Sequence, residues 1–323
     1  MRALLSRLRS SAGSGPAQLL AVAAVFLVGR STVVGYSDWA SVRAMAVLAS
    51  FLGIAAMGHT LVVLAGGIDL SVPALIGAGN VMTARLTGEG WSSPPVIAST
   101  LAAGFAVGAV NGYVTSRWRA PALVVTLATA SVVGGAVLLW TDASLSGQAP
   151  AWLASFTSSA ADTGPLPIAP VVVAWLLLAA VAEFALRRTI VGRRLYVHGV
   201  NPDVARLMLV SDHRVTTFAF ACSGLLAALS GTLLTGFTGS GLFDVGSPYL
   251  FSAIAAVVVG GNSLLGGRGN ILRCVLGTVA LTELTTLLVG YSLGSAAQQA
   301  VLGAVILAVV ATYGREQPLG SRI

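Results

Sequence analysis

Lysine is absent from this chain: all 18 basic residues are arginine. A nucleotide-binding loop of the form GxxxxGK[ST] uses its lysine on the phosphates, so none exists here, and any ATP used on this chain's behalf is bound by another subunit. Charge is scarce too, at 9% of residues against about 25% in soluble domains. Only two cysteines occur, Cys222 and Cys274, both in apolar runs. They suit small packing positions and give no disulfide framework or metal site. Three scattered histidines, His59, His198 and His213, argue against a membrane-embedded enzyme, which would need clustered ligands or bases. The sequence therefore predicts no cofactor, no metal and no catalytic residue.

What is present is apolar. Hydrophobic residues make up 56% of the 323, and mean hydropathy is +0.88. No soluble fold of this length hides so much apolar surface. Repeated apolar stretches of about 18 or more residues read as membrane-spanning helices. Ten are predicted, near 17–36, 43–65, 70–86, 95–116, 121–140, 168–186, 216–237, 249–263, 271–290 and 296–313. The fold class is all-α and polytopic. The spans at 70–86 and 249–263 are short enough to be broken or re-entrant. The start, "MRALLSRLRS" before an apolar run, has the charge of a signal peptide, but the apolar sequence continues past Arg30 and reads as an uncleaved first helix.

Arginine sets the orientation. Arg2, Arg7 and Arg9 precede the first span, Arg117 and Arg119 follow the fourth, six arginines lie from Arg187 to Arg214, and Arg315 and Arg322 close the chain. With ten spans, the positive-inside rule puts all of these groups and both termini in the cytoplasm. The net charge of +7 is then a membrane signature and not a nucleic-acid one. Arg43 and Arg85 are exceptions at the outer side. The predicted organisation is a cytoplasmic tail (1–15), a transmembrane domain (16–314) with a cytoplasmic segment at 187–215 and a periplasmic loop at 141–167, and a second tail (315–323). An internal echo links "VVLAGGIDLS" (62–71) with "AVVVGGNSLL" (256–265), each a glycine pair closing an apolar run. Parallel repeats in transporters produce such echoes, and the pairs Gly66–Gly67 and Gly260–Gly261 are candidate hinges.

Within 187–215, "NPDVARLML" carries helix-start chemistry: Asn201 as cap, Pro202 in the first position, Asp203 at the positive end of the dipole. Val204, Leu207 and Met208 share one face, with Arg206 beside them. Such a stripe lies on lipid or docks in a groove of a soluble partner.

Three long stretches carry a family resemblance. "GRRLYVHGVNPDVARLMLVSDHRV" resembles the coupling loop of ribose-type ABC importer permeases, a branched-chain-permease-like family that includes monosaccharide and autoinducer-2 permeases. "LAGGIDLSVPALIGAGN" resembles the family's GGIDLSVG signature. "GSGLFDVGSPYLFSAIAAVVVGGNSLLGGRGNILRCVLGTV" resembles its late AIAAVVLGGxSLxGGRG block. The resemblance implies an inner-membrane permease paired with a second permease subunit, as a homo- or heterodimer. It also implies an ABC ATPase docked on each coupling helix, and a periplasmic binding protein that delivers a monosaccharide or similar small polar solute. Departures are Pro73 for glycine, Leu250 and Ser252 where many sugar members carry acids, and Arg273 for a small residue. Asp244 resembles a D-x-G pattern of other branches.

Candidate path or gate residues follow from polar groups placed inside apolar sequence. Asp69 either caps the helix after the glycine pair, together with Ser71, or gates the path. Glu283, with Thr286 one turn away, lines the path or pairs with Arg273. Asn111 and His59 suit interhelical hydrogen bonds or a ligand. Phe237, Phe243, Tyr249 and Asp244 sit near the predicted outer mouth. The competing mechanism is a secondary transporter that moves protons through Glu283 or Asp69, for which the 187–215 segment has no use. Loop 141–167 has no arginine and a short apolar turn around Trp152, Leu153 and Phe156. A cysteine replacing Ser158 should react with an impermeant thiol reagent on intact spheroplasts; labelling only after lysis would invert the whole topology.

Overall fold

The structure, a computed structural model, describes residues 15–144 and 147–313. Arg2, Arg7, Arg9, Arg315 and Arg322 of the predicted tails lie outside the described residues. Among the described residues the chain is all helical, with thirteen helices and no strand. Backbone groups in hydrocarbon find no water, so each span satisfies them internally as helix. The order is α1 (Gly15–Thr32), α2 (Trp39–Leu64), α3 (Val72–Gly88), α4 (Ser93–Trp118), α5 (Ala122–Trp140), α6 (Ala151–Thr157), α7 (Pro170–Arg188), α8 (Ile190–Val200), α9 (Pro202–Leu207), α10 (Asp212–Thr238), α11 (Tyr249–Val259), α12 (Ile271–Gly290) and α13 (Ser295–Tyr313).

Each of the ten predicted spans coincides with a helix. Six of them, α2, α4, α5, α7, α10 and α12, are long and apolar enough to cross a bilayer. The expectation of short spans holds: α11 has 11 residues, or about 16 Å at 1.5 Å per residue, against a hydrocarbon core of about 30 Å. The first span ends at Thr32 and not near 36. The segment 187–215 is not a loop with one short helix. Its first half is α8, started by Thr189, whose side chain accepts the Gly192 amide.

Helices α2 and α10 form the centre, with 17 of 26 and 17 of 27 residues buried. Helix α10 packs on α4, α3 and α2. Helix α2 also meets α11 and α12 on its other side, so it belongs to both halves of the core. By contrast, α5 buries only Thr126. Close approach of α4 and α10 depends on glycine at every fourth position, Gly104, Gly108 and Gly112. A methyl group on these would run into Gly224, Phe220 and Thr217 of α10. Without a hydrophobic force between helices in lipid, such small-residue contacts supply the packing. The sequence reading passed over this stripe, although its spacing was visible.

Gly134 and Gly135 on α5 face open space: a methyl group on either would have nothing within 4 Å. Gly108→Ala should therefore lower stability by about 1–3 kcal/mol through overpacking. Gly134→Ala should be neutral or gain up to about 1 kcal/mol from helix propensity. Thermal unfolding in detergent distinguishes them; equal behaviour would remove the close-packing account.

Candidate functional site

Two linked assemblies stand at the end of the bundle where α2, α4, α7 and α11 finish and α3, α5, α10 and α12 begin. One is the α8–α9 segment and its attachments. The other is a buried polar network around Asp69.

Asn201 Oδ1 accepts the amides of Asp203 (2.9 Å) and Val204 (3.2 Å), which is the cap the sequence predicted. Pro202 occupies the first turn. Asp203 pairs with Arg206 at 3.0 Å, and Arg206 also reaches Asp212 at 3.7 Å. Ala205 and Val210 turn inward and are buried. Val204, Leu207 and Met208 point outward, Leu207 being 85% exposed. Leu209, which the sequence reading missed, extends this apolar face in a left-handed conformation at φ 57°. His198 lies 3.3 Å from Asp212. Burial pushes its imidazole below the ordinary value, against the pull of Asp212.

Helix α8 is strapped to the loop between α11 and α12. The Tyr196 hydroxyl donates to the Gly269 carbonyl at 2.8 Å. Burial, with Glu183 nearby, pushes that hydroxyl's pKa up. Glu183 pairs with Arg187, four residues on along α7, and also accepts the Ile271 amide at 2.8 Å. Gly199 lies against both Leu64 and Gly267, where a side chain would collide with backbone. The Gly267 amide donates to the Leu64 carbonyl at 3.0 Å.

Leu64 ends α2, and the hinge glycines follow. Gly66 has φ 85° and Gly261 φ 83°. In both turns the next amide reaches back to the helix, Gly67 to Val62 and Asn262 to Val257, each at 2.9–3.1 Å. These are Schellman endings, which need a residue tolerant of positive φ. The left-handed residue is the first glycine of one pair and the second of the other. Gly67 and Gly260 thus have ordinary φ, and the two motifs align one residue out of the sequence echo.

Asp69 is 1% exposed. It does not cap α3: Ser71 occupies the cap position, without a side-chain cap bond. Asp69 Oδ1 accepts the Ser71 amide (3.0 Å) and hydroxyl (2.6 Å), and Oδ2 accepts the Ser223 hydroxyl of α10 (2.8 Å). Asn111 of α4 donates to Ser71 (3.0 Å) and accepts from Thr129 of α5 (2.5 Å). Thr126 accepts the Leu70 amide at 3.0 Å. One carboxylate therefore ties the start of α3 to α4, α5 and α10. His59 is buried with neither ring nitrogen hydrogen-bonded to a protein group.

The other path candidates do not converge on this network. Glu283 is buried beside α1 and α2, its carbonyl accepting from the Tyr36 hydroxyl at 2.9 Å. It lies ten residues, or about 15 Å of helix, from Arg273, which approaches the Gly261 carbonyl (3.5 Å). The expected Glu283–Arg273 pair is not formed. Thr286 bonds the Thr282 carbonyl of its own helix. Phe237 meets the Phe51 ring edge-on at 5.4 Å. Asp244 is exposed in the turn after α10, and its carbonyl accepts the Ser247 amide. A second polar cluster was not foreseen: Asn80 of α3 bonds Thr235 (3.1 Å) and the Leu242 amide (2.6 Å). At the opposite end from α9, α6 forms at the predicted apolar turn, with Leu153 buried. The two outlying arginines are neutralised there: Arg43 pairs with Asp162 at 2.7 Å and Arg85 with Glu89 at 3.0 Å.

The bundle has six helices long and apolar enough to cross a bilayer and a capped, outward-facing helix between two of them, which suits a multi-pass membrane protein. Residues 41–310 match the family described as branched-chain amino acid transport system / permease component, and the chain belongs to that family. It is a permease component of the ABC importer type and not an enzyme. Among its relatives is the autoinducer 2 import system permease protein LsrC of Enterobacter sp. (strain 638), 33% identical over 92% of this chain and 85% of that one. The LsrC proteins of Shigella flexneri (35% identical; 83% and 77% covered) and Salmonella choleraesuis (32%; 86% and 80%) are similarly related. No solved structure matches the chain.

Removing the Asp69 carboxylate separates structure from charge. Asp69→Asn still accepts from Ser71 and should keep most stability and much transport. Asp69→Ala strands two buried hydroxyls at a cost of about 1–3 kcal/mol each. Thermal unfolding and uptake at matched membrane levels test this; loss of transport by Asp69→Asn at normal stability would make the charge itself essential.

Proposed function

We propose that this chain is the membrane-spanning subunit of an importer that passes a monosaccharide or similar small polar solute. A periplasmic binding protein delivers the solute at the α6 end, and a separate ATPase docks at α9. Two permease subunits, alike or different, form the path in the inner membrane, with both termini in the cytoplasm. The relatives' names support a small solute of the autoinducer 2 kind.

The observation that carries the reading is the α8–α9 segment. Its outer face presents Val204, Leu207, Met208 and Leu209, while Gly199 on its inner face rests on the Leu64–Gly66 turn. A push on α9 therefore reaches the α2–α3 turn through backbone contacts. Two residues beyond that turn, the Asp69 network holds α3, α4, α5 and α10 together. Displacing the turn loads these hydrogen bonds, and breaking them frees the start of α3 from Ser223 of α10, while Asn80 and Thr83 still tie the rest of α3 to that helix. On this reading Asp69 and Asn111 form the inner gate, with Gly66 and Gly261 as its hinges. The rival, proton movement through Glu283 or Asp69, has no use for the exposed apolar face of the α8–α9 segment.

Leu207→Asp should abolish co-purification with the ATPase while leaving membrane level and thermal stability near wild type, because the side chain is on the surface. An intact complex with normal uptake would refute the docking face.

A further inference from the structure

One charged cleft serves no helix packing and meets the apolar face of the α9 segment only at Leu209. It has a volume of about 640 Å³ and is lined also by Ser116, Arg117, Arg119, Arg206, Asp212 and His213, among others. It therefore lies between the α4–α5 corner and the start of α10. Arg206 is matched to Asp203 and Asp212. Arg117 and Arg119 are exposed and have no carboxylate partner among the described residues. Three guanidinium groups thus face one carboxylate, which is already engaged.

The surroundings of the arginines are apolar and aromatic. Trp118, between them in sequence, is 69% exposed. Tyr113, one turn earlier on α4, meets the His213 ring edge-on at 4.9 Å, and the Ser116 hydroxyl lies 2.9 Å from His213 Nδ1. Tyrosine and tryptophan favour the level of lipid headgroups. Directly beyond Arg119, α5 presents Leu123, Val124 and Leu127 outward, on the helix least covered by the rest of the protein. Arginines with an exposed tryptophan between them in sequence, followed by exposed apolar residues of α5, suit a phospholipid from phosphate to acyl chain. Guanidinium forks fit phosphate oxygens, and basic pockets between membrane helices recruit anionic headgroups.

We propose that this cleft binds the phosphate of an anionic phospholipid. An acidic segment of a soluble partner would satisfy the arginines but leave the α5 face, at bilayer depth, unused. A bound headgroup bridges the α4–α5 corner to the segment that follows α9. It would thereby restrain the coupling segment relative to the gate. The site needs no bound ATPase.

The test uses the full chain in nanodiscs of phosphatidylcholine with and without phosphatidylglycerol, followed by native mass spectrometry of retained lipid. Wild type should retain phosphatidylglycerol in preference to phosphatidylcholine. Arg117→Gln/Arg119→Gln should lower that preference on the order of 10- to 30-fold. Arg193→Gln/Arg194→Gln removes equal charge from α8, outside the cleft, and should change it little. If both double variants lose retention equally, general surface charge explains the binding and the site is refuted. Inorganic phosphate or glycerol phosphate that displaces the lipid at millimolar level and stabilises lipid-free protein equally would assign the cleft to a soluble anion instead, against the proposal. Loss of ATPase co-purification by the first variant with lipid retention unchanged would assign it to a protein partner, also against it. Should that variant not give monodisperse protein, Arg117→Gln alone is read the same way, with about a fivefold loss expected. Arg119→Lys, which keeps charge and loses the fork, should fall between wild type and Arg117→Gln.

Discussion

The carbonyl of Leu64 is the contact on which three parts of the molecule converge. It is an orphan acceptor, since the last carbonyls of a helix lack intrahelical donors. Here it ends the most buried span, where no water would replace a missing partner. The Gly267 amide supplies the hydrogen bond at 3.0 Å, and Gly199 closes over the same atom. Helix α2, the α11–α12 loop and the α8–α9 segment therefore share one backbone position. The three elements meet only because glycine stands at 199, 266 and 267; the last two have φ of 88° and 66°.

Such a junction transmits displacement because it has little to deform. Backbone against backbone has no rotamers to absorb motion, unlike a contact between long side chains. The adjoining turns are different. Gly66 and Gly261 hold positive φ, and Gly66 has open space where a side chain would stand, so torsion there is cheap. On the proposed coupling, stiff contact beside free hinge is the arrangement that would convert a push at α9 into rotation of α3. Asp69 would resist that rotation, since its carboxylate holds the start of α3 to α10 and, through Ser71 and Asn111, to α4 and α5.

Much of the fold was legible because the bilayer simplifies the code. Apolar runs gave the ten spans, and capping chemistry gave α9 from Asn201, Pro202 and Asp203. Helix α8 was not legible: Arg193, Arg194 and two glycines break its pattern, and its stability comes from burying Leu195 and His198 against the bundle. The site was half legible. Asp69 stood out as a charge in an apolar run, but nothing local told that its partner across the bundle was Ser223, 154 residues away, or that Asn111 would bond Ser71, 40 residues away. Glu283 stood out for the same reason and proved to lie elsewhere, beside Tyr36. A single sequence marks which polar groups are buried; only the packing of helices decides which of them meet.

The arginine pattern becomes sharper once the packing is known. At the α6 end, Arg43 and Arg85 each hold a carboxylate, and Arg85 also lies over the Trp140 ring at 4.6 Å. At the α9 end, Arg117 and Arg119 remain unmatched beside the exposed Trp118. Counting arginines treats the two ends as differing in number. The structure adds a difference in kind: both outer arginines are paired, whereas at the α9 end Arg117 and Arg119 have no carboxylate partner among the described residues, beside paired arginines such as Arg187 and Arg206. Only the free ones are open to bind a counter-charge from outside the chain.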